Sequence, residues 1–145
     1  GHFSMGFIQT WLALYHYESY LTTGRHMHRR FARRSHRKVH YWCKTGADML
    51  FGPNCLLDAM SQLCINKSSS DELIICFEEA AKGCSISKSC LFEALAYERL
   101  ARVLRKYEPP ETDRCNVYQK HAVAVYRKWG AIAKAEHLEH TFHKV

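Results

Sequence analysis

Apolar residues recur along this chain at three- and four-residue intervals, and the few Gly and Pro fall between such runs. No run carries the period-2 alternation, bounded by turn residues, that a sheet needs. The pattern predicts an all-α chain of about seven helices. The first spans about 7–21, with Trp11, Leu14, Tyr15 and Leu21 inward, and ends at Thr22-Thr23-Gly24. The second spans about 25–44. A third follows Gly52-Pro53-Asn54, with Leu56, Leu57, Met60, Leu63 and Cys64 on one face. Ser68-Ser69-Ser70, with Asp71 and Glu72 behind it, caps a fourth that runs through Lys82 and ends at Gly83. The fifth covers 87–107 and is broken by Pro109-Pro110. Thr112 or Asp113 caps the sixth, to about Lys128, and Gly130 separates a seventh that reaches His143.

Helices of this length on short loops favour antiparallel neighbours, hence hairpins over about 7–44, 52–82 and 87–128 plus a terminal helix over 130–143. The opening Gly-His-Phe-Ser-Met reads as an expression remnant, so residues 6–145 are taken as one helical-repeat domain. In the middle hairpin Leu57, Met60 and Ser61, then Leu73, Phe77 and Ala80, stand at the offsets of a tetratricopeptide repeat. Tyr97, Leu100, Ala101 and Leu104, then Cys115, Gln119 and Ala122, repeat the pattern across a two-residue insertion. Trp11, Leu14, Met27 and Phe31 offer it at the start.

The C-terminal half, "CLFEALAYERLARVL" followed by "HAVAVYRKWGAIAKAEHLEH", resembles the terminal helical repeats of large signalling proteins. In these a kinase-like or cyclase domain and a STAND-type ATPase precede a tetratricopeptide-like array, often ahead of histidine-kinase modules. The resemblance rests on Glu93, Ala94, Leu95, Ala96, Leu100 and Ala101, then Tyr126, Trp129, Gly130, Ala131, Lys134 and Leu138. It implies a right-handed array acting as scaffold or relay, with the chemistry elsewhere in a larger chain.

Charge adds a second theme. The net charge is +7, yet no acid lies between Glu18 and Asp48, where eight Arg and Lys residues cluster. On a helical wheel Met27, Phe31, Ser35, Val39 and Trp42 share one arc, opposite a basic face. Arg29, Arg33 and Arg37 form an i, i+4 ladder, which opposes helix formation unless something offsets it. Acids from neighbouring helices, such as Glu78, Glu79 or Glu93, could do so. So could an external partner, with Arg29, Arg30, Arg33 and Arg37 as donors to carboxylates. The alternative ligand is nucleic acid or another polyanion, contacted through residues 25–40. No zinc-finger, homeodomain or bZIP signature accompanies the segment, and it lacks the Asn or Gln that reads bases.

Other chemistries are weakly encoded. His137 and His140 lie one turn apart, with Glu136, Glu139 and His143 nearby, but without the spacing of a zinc protease. His26 and His28 diverge on a helix. Seven Cys, odd in number and without a C-x-x-C pair, act as small hydrophobes in a reducing compartment, which places the protein in the cytosol. "GCSISKS" lacks the ending of a phosphate-binding loop. No run of about 18 apolar residues is present. Trp11, Tyr15, Tyr41, Trp42, Tyr97, Tyr118, Tyr126 and Trp129 recur at helical spacing and read as core.

The sequence thus predicts a non-catalytic, cofactor-free module that binds protein, an acidic peptide or adjacent domains of its own chain. A groove lined by the first helices of the hairpins is a second place for a peptide or helix. Exposed apolar ends of such an array are also where two copies can pair.

Overall fold

The structure, a computed structural model, describes residues 2–65, 67–109 and 113–143, with side chains within 4–141. Among these residues it is all helical: α1 (His2–Thr23), α2 (His26–Lys44), α3 (Phe51–Ile65), α4 (Ser70–Ile86), α5 (Cys90–Tyr107), α6 (Arg114–Trp129) and α7 (Ile132–His143), with a 3-10 turn at Asp48–Leu50. The helices pack in neighbouring pairs. Tyr20 meets His26 while Tyr17 meets His36, so α1 and α2 run antiparallel. Gly52 against Cys84, and Glu98 against Tyr126, show the same for α3–α4 and α5–α6.

Local chemistry explains the boundaries. Ser69 and Glu72 form the expected capping box: the Glu72 N–H donates to Ser69 Oγ at 3.2 Å, and the Ser69 N–H to Glu72 Oε2 at 3.1 Å. Four boundaries depart from expectation, among them the start of α5, which falls at Cys90 and not at 87. α1 begins at His2, so the opening residues are part of the helix. α3 begins at Phe51, because Pro53 in a first turn has no intrahelical N–H bond to lose. α4 runs past Gly83 to Ile86. Gly83 is buried against Cys55, and the chain turns instead at Lys88, whose φ is 58°. Asp113 precedes α6 without capping the backbone; its carboxylate accepts from Asn116 Nδ2 at 2.6 Å. Thr112 lies outside the described residues.

The main core joins α1 to α5 and includes Tyr17, Leu56, Leu57, Met60, Phe77, Leu100 and Leu104. A smaller one, around Ala94, Ala122, Tyr126, Ala135 and Leu138, fixes α7. Buried Gln119 links the last three helices, accepting from Arg105 Nη2 at 3.1 Å and donating to the Leu138 carbonyl at 2.9 Å. α1 lies on α3 and reaches α5: Phe7 stacks on Phe92 at 6.1 Å, Trp11 tilts onto the same ring at 5.1 Å, and Glu18 meets Arg99. The first and third hairpins therefore touch over the second, and a concave groove forms between them.

Candidate functional site

The predicted basic residues all fall on α2, and their outward face is as read. Arg30, Arg33 and Arg37 are exposed, and Arg29 is half-buried with its guanidinium 5.9 Å from the Tyr20 ring centre. The apolar face is as read only in part, with Trp42 packed against the core. Met27 and Phe31 are exposed, while Ala32, Ser35 and Val39 are buried. The inward stripe is rotated because His28 and His36, not the larger apolar side chains, face neighbouring helices. Phe31 instead lies beside His16 on the surface, with Arg34 5.8 Å from its ring centre.

Among the described residues no carboxylate pairs with the ladder. Glu78 accepts from the Tyr118 hydroxyl, Glu79 lines a separate hollow, and Glu93 makes no ion pair. Among the described residues none of Arg29, Arg30, Arg33, Arg34 and Arg37 forms a salt bridge. Elsewhere the arginines are engaged: Arg114 with Glu108 and Asp71, Arg127 with Glu139, and Arg99 and Arg102 with Glu18.

The interface beneath the ladder is built from imidazoles. His16 Nδ1 lies 2.9 Å from His28 Nδ1. Their ring centres are 5.2 Å apart, longer by about two ring radii, so each ring aims its Nδ1 at the other. One proton fills that space. Burial and then the charge of His28 hold the His16 pKa below its usual value. A turn away, Tyr17 Oη is 2.8 Å from His36 Nδ1, and His36 Nε2 is 2.9 Å from Asp58 Oδ1. The network assigns the tyrosine as donor to Nδ1 and Nε2–H as donor to the carboxylate. Burial pushes the Tyr17 phenol up to about 12.

Matching such a triad to known chemistry requires a nucleophile. Comparison with family models, curated proteins and solved structures finds no match to this chain. The geometry must therefore speak alone. His36 and Asp58 border a hollow of about 380 Å³ that also contains Cys55, Cys76 and Glu79. Both ring nitrogens of His36 are already engaged, and burial raises the Cys55 and Cys76 thiols away from thiolate. Cys64 is pushed up to about 11 for the same reason, and Cys84 further still. The arrangement locks α1, α2 and α3 together rather than activating a side chain.

The groove is the other site. It encloses about 420 Å³ between α1, α3, α5 and α7, over an apolar floor of Leu14, Leu56, Met60 and Leu95. Trp11 and Tyr15, read as core from the sequence, are its half-open walls at 44% and 62% exposure. Of the other aromatics read as core, Tyr126 is buried, whereas Tyr41 and Trp129 are exposed. Glu98 accepts from Tyr126 Oη at 2.6 Å and from Lys134 Nζ at 3.1 Å. Glu18 Oε1 lies 3.2 Å from Arg99 Nε, and its Oε2 3.7 Å from Arg102 Nη2. Burial depresses the Arg99 pKa, and Glu18 acts against that.

His137 and His140 are exposed, and the side chain of His143 is outside the described set. Among the described residues no three His, Cys, Asp or Glu side chains converge as a metal would require, and no helix is long and apolar enough to cross a membrane. Sequence reasoning missed the histidine pair and the Glu18–Arg99 bridge. The one available signal was Glu18 itself, the only acid before Asp48.

Proposed function

We propose that this chain is a non-catalytic, tetratricopeptide-like interaction module that docks an acidic protein segment on the arginine face of α2. The observation that carries the reading is the contrast in pairing. Arg99, Arg102, Arg114 and Arg127 of α5 and α6 have carboxylates, whereas the α2 ladder, in the least acidic part of the chain, has none among the described residues. Like charges at i, i+4 cost a helix a few tenths of a kcal/mol per pair, and a carboxylate-bearing partner removes that cost while accepting charge-assisted bonds. Arg29, Arg30, Arg33 and Arg37 are the donors. In this reading the module is a scaffold or relay segment of a cytoplasmic signalling protein, and its ligand is a partner or a neighbouring domain.

Exposed Met27, Phe31 and Tyr41 beside the arginines favour protein over duplex nucleic acid, because they supply apolar contact that a phosphate backbone does not use. The test is fluorescence anisotropy of a labelled glutamate-rich peptide, duplex DNA and single-stranded RNA at two salt concentrations, with wild type and an Arg29/Arg33/Arg37→Glu variant. Peptide binding lost in the variant supports the reading. Nucleic-acid binding that survives near-physiological salt and is lost in the variant replaces it with the polyanion alternative.

A further inference from the structure

The groove holds a feature that the α2 reading does not use. The Arg99 side chain is 15% exposed, yet its Nε, shielded from solvent, has no hydrogen-bond partner. It has only the charge of Glu18, 3.2 Å away but out of line for a bond. Arg102, one turn on, is 55% exposed and meets the same carboxylate at 3.7 Å. Glu98 is fully engaged by Tyr126 and Lys134. One carboxylate therefore serves two guanidinium groups, and the groove has one positive charge in excess.

A shielded guanidinium Nε without its hydrogen bond forgoes an interaction that water or a ligand would supply. The floor beneath it is apolar, and about 420 Å³ falls within the range of small-molecule sites. We propose that the groove binds an amphiphilic monoanion, a small apolar molecule ending in a carboxylate. The carboxylate is taken by Arg99 and Arg102 in competition with Glu18. The apolar part lies on Leu56, Met60 and Leu95 beside Trp11. The single surplus charge selects a monoanion over a neutral or cationic amphiphile, and the paired guanidinium donors suit a planar two-oxygen group. This inference is independent of the α2 ladder, which lies on another surface.

The experiment is isothermal titration of the intact protein with dodecanoate, dodecanol and dodecyltrimethylammonium, each below its micelle concentration. A dodecanoate site of unit stoichiometry, with the other two binding at least about tenfold more weakly, is expected. Arg99→Met should lower dodecanoate affinity by about tenfold or more, the scale of a lost charge-assisted bond. Because that variant can also lower affinity by loosening the fold, Glu18→Gln, which breaks the same ion pair but is expected to shift affinity the other way, is the decisive companion. It keeps the shape of the side chain and removes the competing charge, so affinity should rise several-fold. Equal binding of dodecanol overturns the proposal, as do absence of dodecanoate binding, unchanged affinity in Glu18→Gln, or binding confined to carboxylate-terminated peptides.

Discussion

Glu18 and Arg99 tie the first hairpin to the third across the middle one, with Glu18 Oε1 3.2 Å from Arg99 Nε. Both side chains are partly shielded, so the pair lies between the surface and buried regimes. Glu18→Gln and Arg99→Met should each cost about 1–2 kcal/mol, with a coupling of about 1 kcal/mol in the double variant. Urea denaturation of the four proteins checks this. Additive losses would show that the Glu18–Arg99 pair does not couple α1 to α5.

At Gly52 the backbones of α3 and α4 approach closely. A Cβ there would stand 2.5 Å from Cys84 Cα, a backbone atom that cannot rotate away. Gly52→Ala should therefore destabilise by about 2–3 kcal/mol despite its better helix propensity. Gly130 has open space around it but a φ of +93°, so Gly130→Ala should cost only about 1 kcal/mol, as backbone strain. Thermal melts that rank the two in the opposite order would contradict the helix packing.

The His16–His28 pair makes stability depend on pH. His16 is held below its ordinary value of 6.5, so the unfolded chain binds more protons just below that pH. Its contribution is thus present above about pH 6.5 and is lost as pH falls toward the folded-state pKa. Unfolding free energy should decline between pH 7.5 and 5.5, and His16→Phe should flatten the decline. A slope unchanged in that variant would place the proton uptake elsewhere.

The thiols report on whether a cysteine could serve as a nucleophile. Cys64 and Cys84 are buried with raised pKa values, so neither is a thiolate near neutral pH. Thiol titration of the native protein should leave both unmodified until denaturant is added. Fast labelling of either at pH 7 would require a cleft absent from this packing.

Much of the helix order was legible because capping and breaking residues act locally. Ser69 with Glu72 signals a helix start within four positions, and Pro109 ends α5 wherever the chain goes next. The start of α3 was misread because Pro53 marks a first turn as readily as a break. Val39 and Trp42 of α2 face inward as read, but Met27 and Phe31 were misread, because hydrophobicity ranks Phe31 above His28 and His36. Only the tertiary partners His16, Tyr17 and Asp58 make those imidazoles the inner residues. The groove was foreseeable as a place, from hairpin stacking, but not in its chemistry. Arg99 and Glu18 are far apart in sequence and carry no local mark of each other.

The central claim is that the α2 arginines lack a carboxylate partner among the described residues and gain one from outside the chain. Anisotropy of the glutamate-rich peptide at near-physiological salt, wild type beside Arg29/Arg33/Arg37→Glu, tests it most directly. The account predicts saturable binding to the wild type that weakens with salt and disappears in the variant. Binding that is equal in the two proteins, or absent from both, would contradict it.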